Sequence, residues 1–297
     1  AHVEGDLNKA IQFEKTLIEL YPDGSSHHNN LGFLYQNQGN YDKAIEAYKQ
    51  AVRIDPYFLL SYHGITWIYS TLIGQMDSTF VWAKKMIEHA PDNPWGYMRL
   101  GCAYVGTDSL EKAEQAFLKA RELDPNYSLY HYNLAHIYRL MGDHKKAIEV
   151  LEDFLEINPQ VTTTHYVLGV LYKLVGEDES SKKHFLRFRK QTEWWIENAP
   201  EYPMSFTYHG QVLTYLGDTL SGRDFGRKAL EVDSSADACL HFSEFLAVQD
   251  RKGEALDYLE EALEKGYRNL VWIRLSPDLY LLHDQTRYHE LVQNYFN

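Results

Sequence analysis

Apolar residues in this chain recur at helical spacing, and they do so in paired blocks. In the stretch from Asn30 to Pro56, NLGFLYQNQGNYDKAIEAYKQAVRIDP, the first block sets Leu31, Gly32 and Tyr35 on one face. The second block sets Ala44, Tyr48 and Ala51 at i, i+4 and i+7, which is again one face of a helix. Gly39 interrupts the run between the blocks and Pro56 ends it, because proline cannot continue a helix and its predecessor avoids the helical region. The same order returns in RLGCAYVGTDSLEKAEQAFLKARELDP from Arg99 and in NLAHIYRLMGDHKKAIEVLEDFLEINP from Asn133. There the landmarks are Leu100, Gly101 and Tyr104 with Ala113, Phe117 and Ala120, and then Leu134, Ala135 and Tyr138 with Ala147, Leu151 and Phe154.

The closing prolines Pro22, Pro56, Pro91, Pro125 and Pro159 are 34, 35, 34 and 34 residues apart. A fixed period of this length marks an array in which each unit is one supersecondary element stacked on the next. The unit here is a helix hairpin. The small residue beside the leading leucine removes a side chain where the second helix must come close. One hairpin cannot bury its apolar faces alone, so neighbouring repeats are obligate partners.

This layout resembles the tetratricopeptide repeat family, on Leu31, Gly32, Tyr35, Ala44, Tyr48, Ala51 and Pro56 and on the matching sets from Leu100 and Leu134. The resemblance implies an all-α fold, a right-handed α-solenoid of tetratricopeptide helix-hairpin repeats forming one continuous domain. Its expected divisions are a partial repeat with a second helix only at 1–24, repeats at 25–58, 94–127, 128–161, 203–235 and 236–268, a divergent repeat at 59–93, a repeat with an extended second helix at 162–202, and a capping segment at 269–297. In the divergent repeat, TWIYSTLIG replaces the Leu-Gly pair and the glycine moves to Gly74, so packing is expected to shift there. In the 162–202 repeat, Glu193 stands where proline is due and RFRKQTEWWIENAP runs on to Pro200, which predicts about two extra helical turns.

The two ends differ from the middle. GDLNKAIQFEKTLIELYP near Ala1 reads as a second helix without its partner, and the expectation is an array cut from a longer one. The final segment, NLVWIRLSPDLYLLHDQTRYHELVQNYF, is similar to the closing segment of bacterial multidomain regulators with repeat arrays of this family, among them adenylate cyclase-like, kinase-linked and winged-helix transcription proteins. The resemblance rests on Ser276-Pro277-Asp278, Leu282 before Asp284, and Arg287-Tyr288 before Leu291. It implies a short loop crossing the open end of the array and a last helix that caps it.

Composition narrows the function. The 297 residues carry a net charge of -13, which argues against nucleic acid or an anionic membrane as partner. Two cysteines, Cys102 and Cys239, are too few for a disulfide framework and read as small packed residues in a reducing compartment. No apolar run is long enough to span a bilayer. Asp224-Phe225-Gly226 looks like the kinase metal-binding triplet but lacks the glycine-rich loop, paired lysine and catalytic loop. None of the 14 histidines forms the i, i+4 pair of a zincin, and His131 and His136 diverge around one helix. Lys183, Arg187 and Lys190 share one helical face, read as solvated. The expectation is therefore no catalytic residue, no metal site, no cofactor and no enzyme activity.

In the family resembled here, first helices line a concave face where ligands lie. Counting from each Leu-Gly landmark gives the inward positions: Asn29, Phe33 and Gln36; His63 and Trp67; Met98, with Cys102 and Val105; Tyr132, His136 and Arg139; Tyr166 and Lys173; and Gln211, with Thr207. Phe33 and Asn29 stand where the chaperone-tail clamps of the family carry asparagine and lysine, so a carboxylate clamp is disfavoured. Aromatic rings with scattered donors suit an extended or helical peptide. The reading is a non-catalytic scaffold for a protein or peptide, or for self-association, in the cytoplasm, or in the periplasm if it belongs to a membrane-anchored protein. The alternative is the regulatory region of a larger bacterial signalling protein.

Overall fold

A computed structural model describes residues 2–296, with side chains from Asp6 onward. Contacts divide the chain into two compact units, 1–125 and 126–297. The first unit runs α1 (His2–Leu20), α2 (Ser25–Asn37), α3 (Tyr41–Ile54), α4 (Leu59–Trp67), α5 (Met76–His89), α6 (Pro94–Gly106) and α7 (Leu110–Leu123). The second runs α8 (Ser128–Leu140), α9 (His144–Ile157), α10 (Thr163–Leu174), α11 (Asp178–Asn198), α12 (Pro203–Tyr215), α13 (Thr219–Val232), α14 (Ala236–Val248) and α15 (Lys252–Glu264). It closes with α16 (Leu270–Leu275), a 3-10 turn at Leu279–Leu282 and α17 (Thr286–Phe296). The described residues hold no strand. Each unit is a stack of helix hairpins, the all-α architecture expected. No helix among the described residues is long and apolar enough to cross a membrane.

The hairpin turns follow from two adjacent residues. Gly39, Gly142 and Gly217 have φ of 75°, 80° and 97°, a left-handed region that suits glycine and ends the first helix. The next residue then caps the second helix: Asn40 accepts from the Lys43 backbone N–H, Asp143 from Lys146 and Asp218 from Ser221, satisfying donors that the helix start leaves free.

The core repeats a single contact. A Cβ on Gly32 would lie 2.7 Å from the Tyr48 ring, one on Gly101 2.6 Å from Phe117, and one on Gly169 2.7 Å from Phe185. In these three hairpins the glycine of the first helix is thus the floor on which the aromatic ring of the second helix rests. In the repeat where that place is Ala135, the ring position carries the smaller Leu151, and both are fully buried. Gly222 and Gly226 of GRDFG have a related role. A Cβ on Gly222 would meet the Gly210 carbonyl at 2.7 Å and one on Gly226 the Phe245 ring at 2.5 Å, so this motif brings α12, α13 and α14 close together while Asp224 faces solvent.

The 35-residue step between Pro56 and Pro91 also has a structural counterpart. After α4 the chain continues as a π-helix over Ile68–Ile73, closed by Gly74 at φ 78°. A π turn holds an additional residue per turn, so the longer spacing is absorbed inside the first helix and the shift expected there is this widened turn. The extended helix of the 162–202 repeat is α11, 21 residues long. Its added turns carry Trp195, which packs against Phe188 and Tyr208.

Replacing Gly101 by alanine should cost about 2 kcal/mol through overpacking against Phe117. In the double variant Gly101→Ala/Phe117→Leu, which copies the Ala135/Leu151 pairing, the combined loss in a urea titration should be smaller than the sum of the two single losses.

Candidate functional site

The inward positions of the second unit converge on the chain's own C-terminal segment. Asp278 accepts from the Tyr166 hydroxyl at 2.7 Å, the Tyr215 hydroxyl at 3.1 Å and Gln211 Nε2 at 3.2 Å. Arg139 donates through Nη2 to the backbone carbonyls of Leu275 and Ser276, at 2.9 and 3.2 Å. Its guanidinium also lies over the Tyr280 ring at 4.5 Å. Glu244 of α14 holds the other edge, accepting from Ser276 Oγ at 2.7 Å and Trp272 Nε1 at 2.9 Å and pairing with His241 at 2.8 Å. Residues 275–282 therefore lie against α8, α10, α12 and α14, and Leu279 and Leu282 enter the apolar cluster around Phe245, Leu256 and Leu259. Beyond them, α17 packs on α15. The segment before it fills the inner side of the unit instead of only crossing its end.

Burial sets the electrostatics here. Desolvation pushes the Asp278 carboxyl up to about 7, and the charge of Glu244 adds to it. The hydroxyls of Tyr166 and Tyr215 and the charge of Arg139 oppose that rise. Desolvation lowers His136 well below the ordinary imidazole range, helped by the charge of Arg139. Burial is the largest single influence on His241 and lowers it, but the hydrogen bond to Glu244 together with the charges of Glu244, Asp237 and Asp278 outweighs it, so the net shift is upward. His165 and His184 meet Nδ1 to Nδ1 at 2.9 Å, and burial is the main cause holding both at about 4. One neutral ring therefore donates to the other. No group of three or more metal-ligating side chains occurs among the described residues.

This geometry corrects part of the expected partner-binding face. Met98, His136, Arg139, Tyr166 and Gln211 are 2, 4, 0, 4 and 0 % exposed and do not form open surface. For Arg139, Tyr166 and Gln211 the reason is the contact with residues 275–280. Tyr132 is half-buried, and its hydroxyl bonds Thr163 and Thr164 at 2.8 and 2.9 Å, committing it to the packing of α8 on α10. Lys173 is exposed and pairs with Asp178 at 2.7 Å. Lys183, Arg187 and Lys190 are exposed along the outside of α11.

In the first unit Met98, Cys102 and Val105 are buried as well, while two of the expected positions stay accessible. Phe33 is 53 % exposed and Trp67 36 %. Arg99 lies over the Trp67 ring at 5.2 Å and contacts His63 Nε2 at 2.8 Å. Burial, then the charge of Arg99, holds the His63 imidazole at about 4, so the ring is neutral at pH 7 and accepts from the guanidinium. Asn29 accepts from Ser61 Oγ at 3.0 Å and Gln36 from the Tyr48 hydroxyl at 3.2 Å. The face combines two accessible rings with amide groups held in fixed orientation.

Sequence reasoning missed Tyr215, Glu244, Trp272, Tyr280 and Arg99. The available signals were Ser276-Pro277-Asp278, noted only as a resemblance, and an arginine at an inward first-helix position, which needs acceptors once covered.

Residues 26–58 match the family model described as Tetratricopeptide repeat, and residues 102–164 match that of Regulator of microtubule dynamics protein 1-3. The chain is similar to the Hsp70-Hsp90 organising protein of Plasmodium falciparum, 32% identical over 89 residues, which is 30% of this chain and 35% of that protein. It is also similar to Protein O-mannosyl-transferase TMTC3 of Homo sapiens, 25% identical over 160 residues, 49% of this chain and 18% of that protein. The matches thus span about a third or less of these relatives' own length. Among solved structures, a tetratricopeptide repeat protein from Parabacteroides merdae ATCC 43184 aligns with a TM-score of 0.54 and 17% identity, over 91% of this chain and 99% of that one. A thermophilic protein of Thermus thermophilus with the same type of repeat aligns with a TM-score of 0.50 and 20% identity, over 64% and 99%. Both likenesses concern the fold.

Substituting Arg139 by methionine should cost about 3 kcal/mol in a denaturant titration, because two buried carbonyls lose a charged donor. Asp278→Asn tests the raised carboxyl. A folded-state value of about 7, above the unfolded value of about 4, stabilises the protonated native form. Its contribution is fully present below pH 4 and is lost as pH rises through 7. The stability of the wild type relative to Asp278→Asn should therefore fall steadily from pH 4 to pH 7.5 when both are followed by chemical denaturation.

Proposed function

We propose, from the premise that this chain belongs to the tetratricopeptide repeat family, that it is a non-catalytic scaffold binding a protein or peptide along the first-helix face of the 1–125 unit. The observation that carries this reading is the contrast between equivalent positions. Gln211, directly after Gly210, is covered by the chain's own segment, whereas its repeat counterparts Phe33, directly after Gly32, and Trp67 are open to solvent. Half-exposed aromatic rings supply large contact area at small entropic cost. Asn29, Gln36 and His63, already oriented by neighbours, supply hydrogen bonds that fix the register of a bound segment. The Hsp70-Hsp90 organising protein is named for organising other proteins, and a role of that general kind is what the reading brings to this chain.

The test is site-specific crosslinking. Photoreactive benzoylphenylalanine placed at Phe33 or Trp67 should give discrete crosslinked species with proteins of the source cell. The same group at Leu220, 79 % exposed on α13 of the other unit, should not. No product from positions 33 and 67, or the same products from position 220, would contradict the assignment. Phe33→Ala should keep its helical circular dichroism and lose no more than about 0.5 kcal/mol of stability, as expected of an exposed side chain.

A further inference from the structure

The 1–125 unit also carries a cleft of about 520 Å³, formed by the second helices α3 and α5 together with Tyr62 of the first helix α4. Its walls are Val52, Pro56, Tyr62 and Trp82. Tyr62 and Trp82 pack at 6.0 Å between ring centroids, and His89 closes on Tyr62 at 5.9 Å. The volume falls within the usual range for small binding clefts, roughly 300–1,000 Å³.

Charge distinguishes this cleft. Lys85 Nζ stands 4.5 Å from the centre of the Trp82 ring and Lys49 Nζ 5.9 Å from it. Neither lysine forms an ion pair with a carboxylate among the described residues. Arg53, also on the lining, is paired with Glu46 at 3.2 Å, and Glu88 is the acid that the wall itself contributes. Two ammonium groups with no carboxylate in ion-pair contact among the described residues thus flank one indole on a chain of net charge -13, with the charges of Glu88 and Asp55 acting at Tyr62. Cations of this kind would ordinarily find a carboxylate partner on so acidic a surface; here the aromatic ring holds them at the mouth of an apolar cleft.

We infer that this cleft binds an acidic peptide segment, with an apolar side chain seated against Val52, Tyr62 and Trp82 and carboxylates on either side meeting Lys49 and Lys85. A peptide fits better than a bare anion because the apolar walls would remain wet around an inorganic phosphate. It also fits better than a nucleic acid, whose continuous phosphate charge is repelled by the rest of this chain.

The experiment uses the full chain and a fluorescein-labelled octapeptide of glutamates around a central Leu-Phe pair, followed by fluorescence polarisation at low salt. The wild type should bind it saturably. Lys49→Glu/Lys85→Glu should weaken binding at least about tenfold, a change of about 1.4 kcal/mol, with circular dichroism unchanged because both side chains lie at the surface. A peptide with glutamine for every glutamate should bind at least tenfold more weakly as well, while Leu220→Ala, at an exposed position of the other unit, should leave the affinity unchanged. Equal affinity in the charge-reversed variant would overturn the inference. So would full displacement by equimolar inorganic phosphate, or equal binding of a single-stranded oligonucleotide.

Discussion

The carboxyl of Asp278 accepts from side chains on two different helices, α10 and α12, and it does so without access to water. Much of the 126–297 unit follows from that convergence. A buried carboxylate needs its hydrogen-bonding capacity met, and Tyr166, Gln211 and Tyr215 provide this only if residues 275–280 run along the inner side of the first helices. Arg139, equally buried, reinforces the same path by donating to two carbonyls of that segment. Glu244 fixes its third side through Ser276 and Trp272. Side chains that would make a receptor for a peptide on an open array have their peptide supplied by the same chain.

Inside the hairpins a simpler rule operates. Gly32, Gly101 and Gly169 each leave room for one ring of the following helix, and Ala135 stands opposite a leucine place. The size of the first residue sets the size of the second. A polar version of this economy appears at the turns, where a left-handed glycine is followed by a capping Asn or Asp. Such contacts are local in sequence, which is why every repeat can carry its own copy.

That locality explains what could be read from the sequence. The hairpins, the overlong α11 and the irregular turn after Trp67 are all visible because their causes lie within one period: proline spacing, a missing proline at Glu193, a displaced Gly74. The close approach made by Gly222 and Gly226 was not legible, because it depends on the positions of α12 and α14. The fate of the inward residues was not legible. Tyr166 and Asp278 are 112 residues apart, and Arg139 and Ser276 are 137 apart. Nothing in the repeat pattern distinguishes Gln211, which is covered, from Trp67, which is open. Exposure of the inward positions depends on a segment outside the period.

The account stands on the C-terminal segment being an integral part of the second unit, and hydrogen exchange read by mass spectrometry addresses this most directly. Amides of residues 276–282 should exchange together with those of α10 and α12, all at the slow rate set by opening of the whole unit. Exchange of 276–282 within seconds, while α10 and α12 remain protected, would show that the inner side is open in solution and would contradict the account.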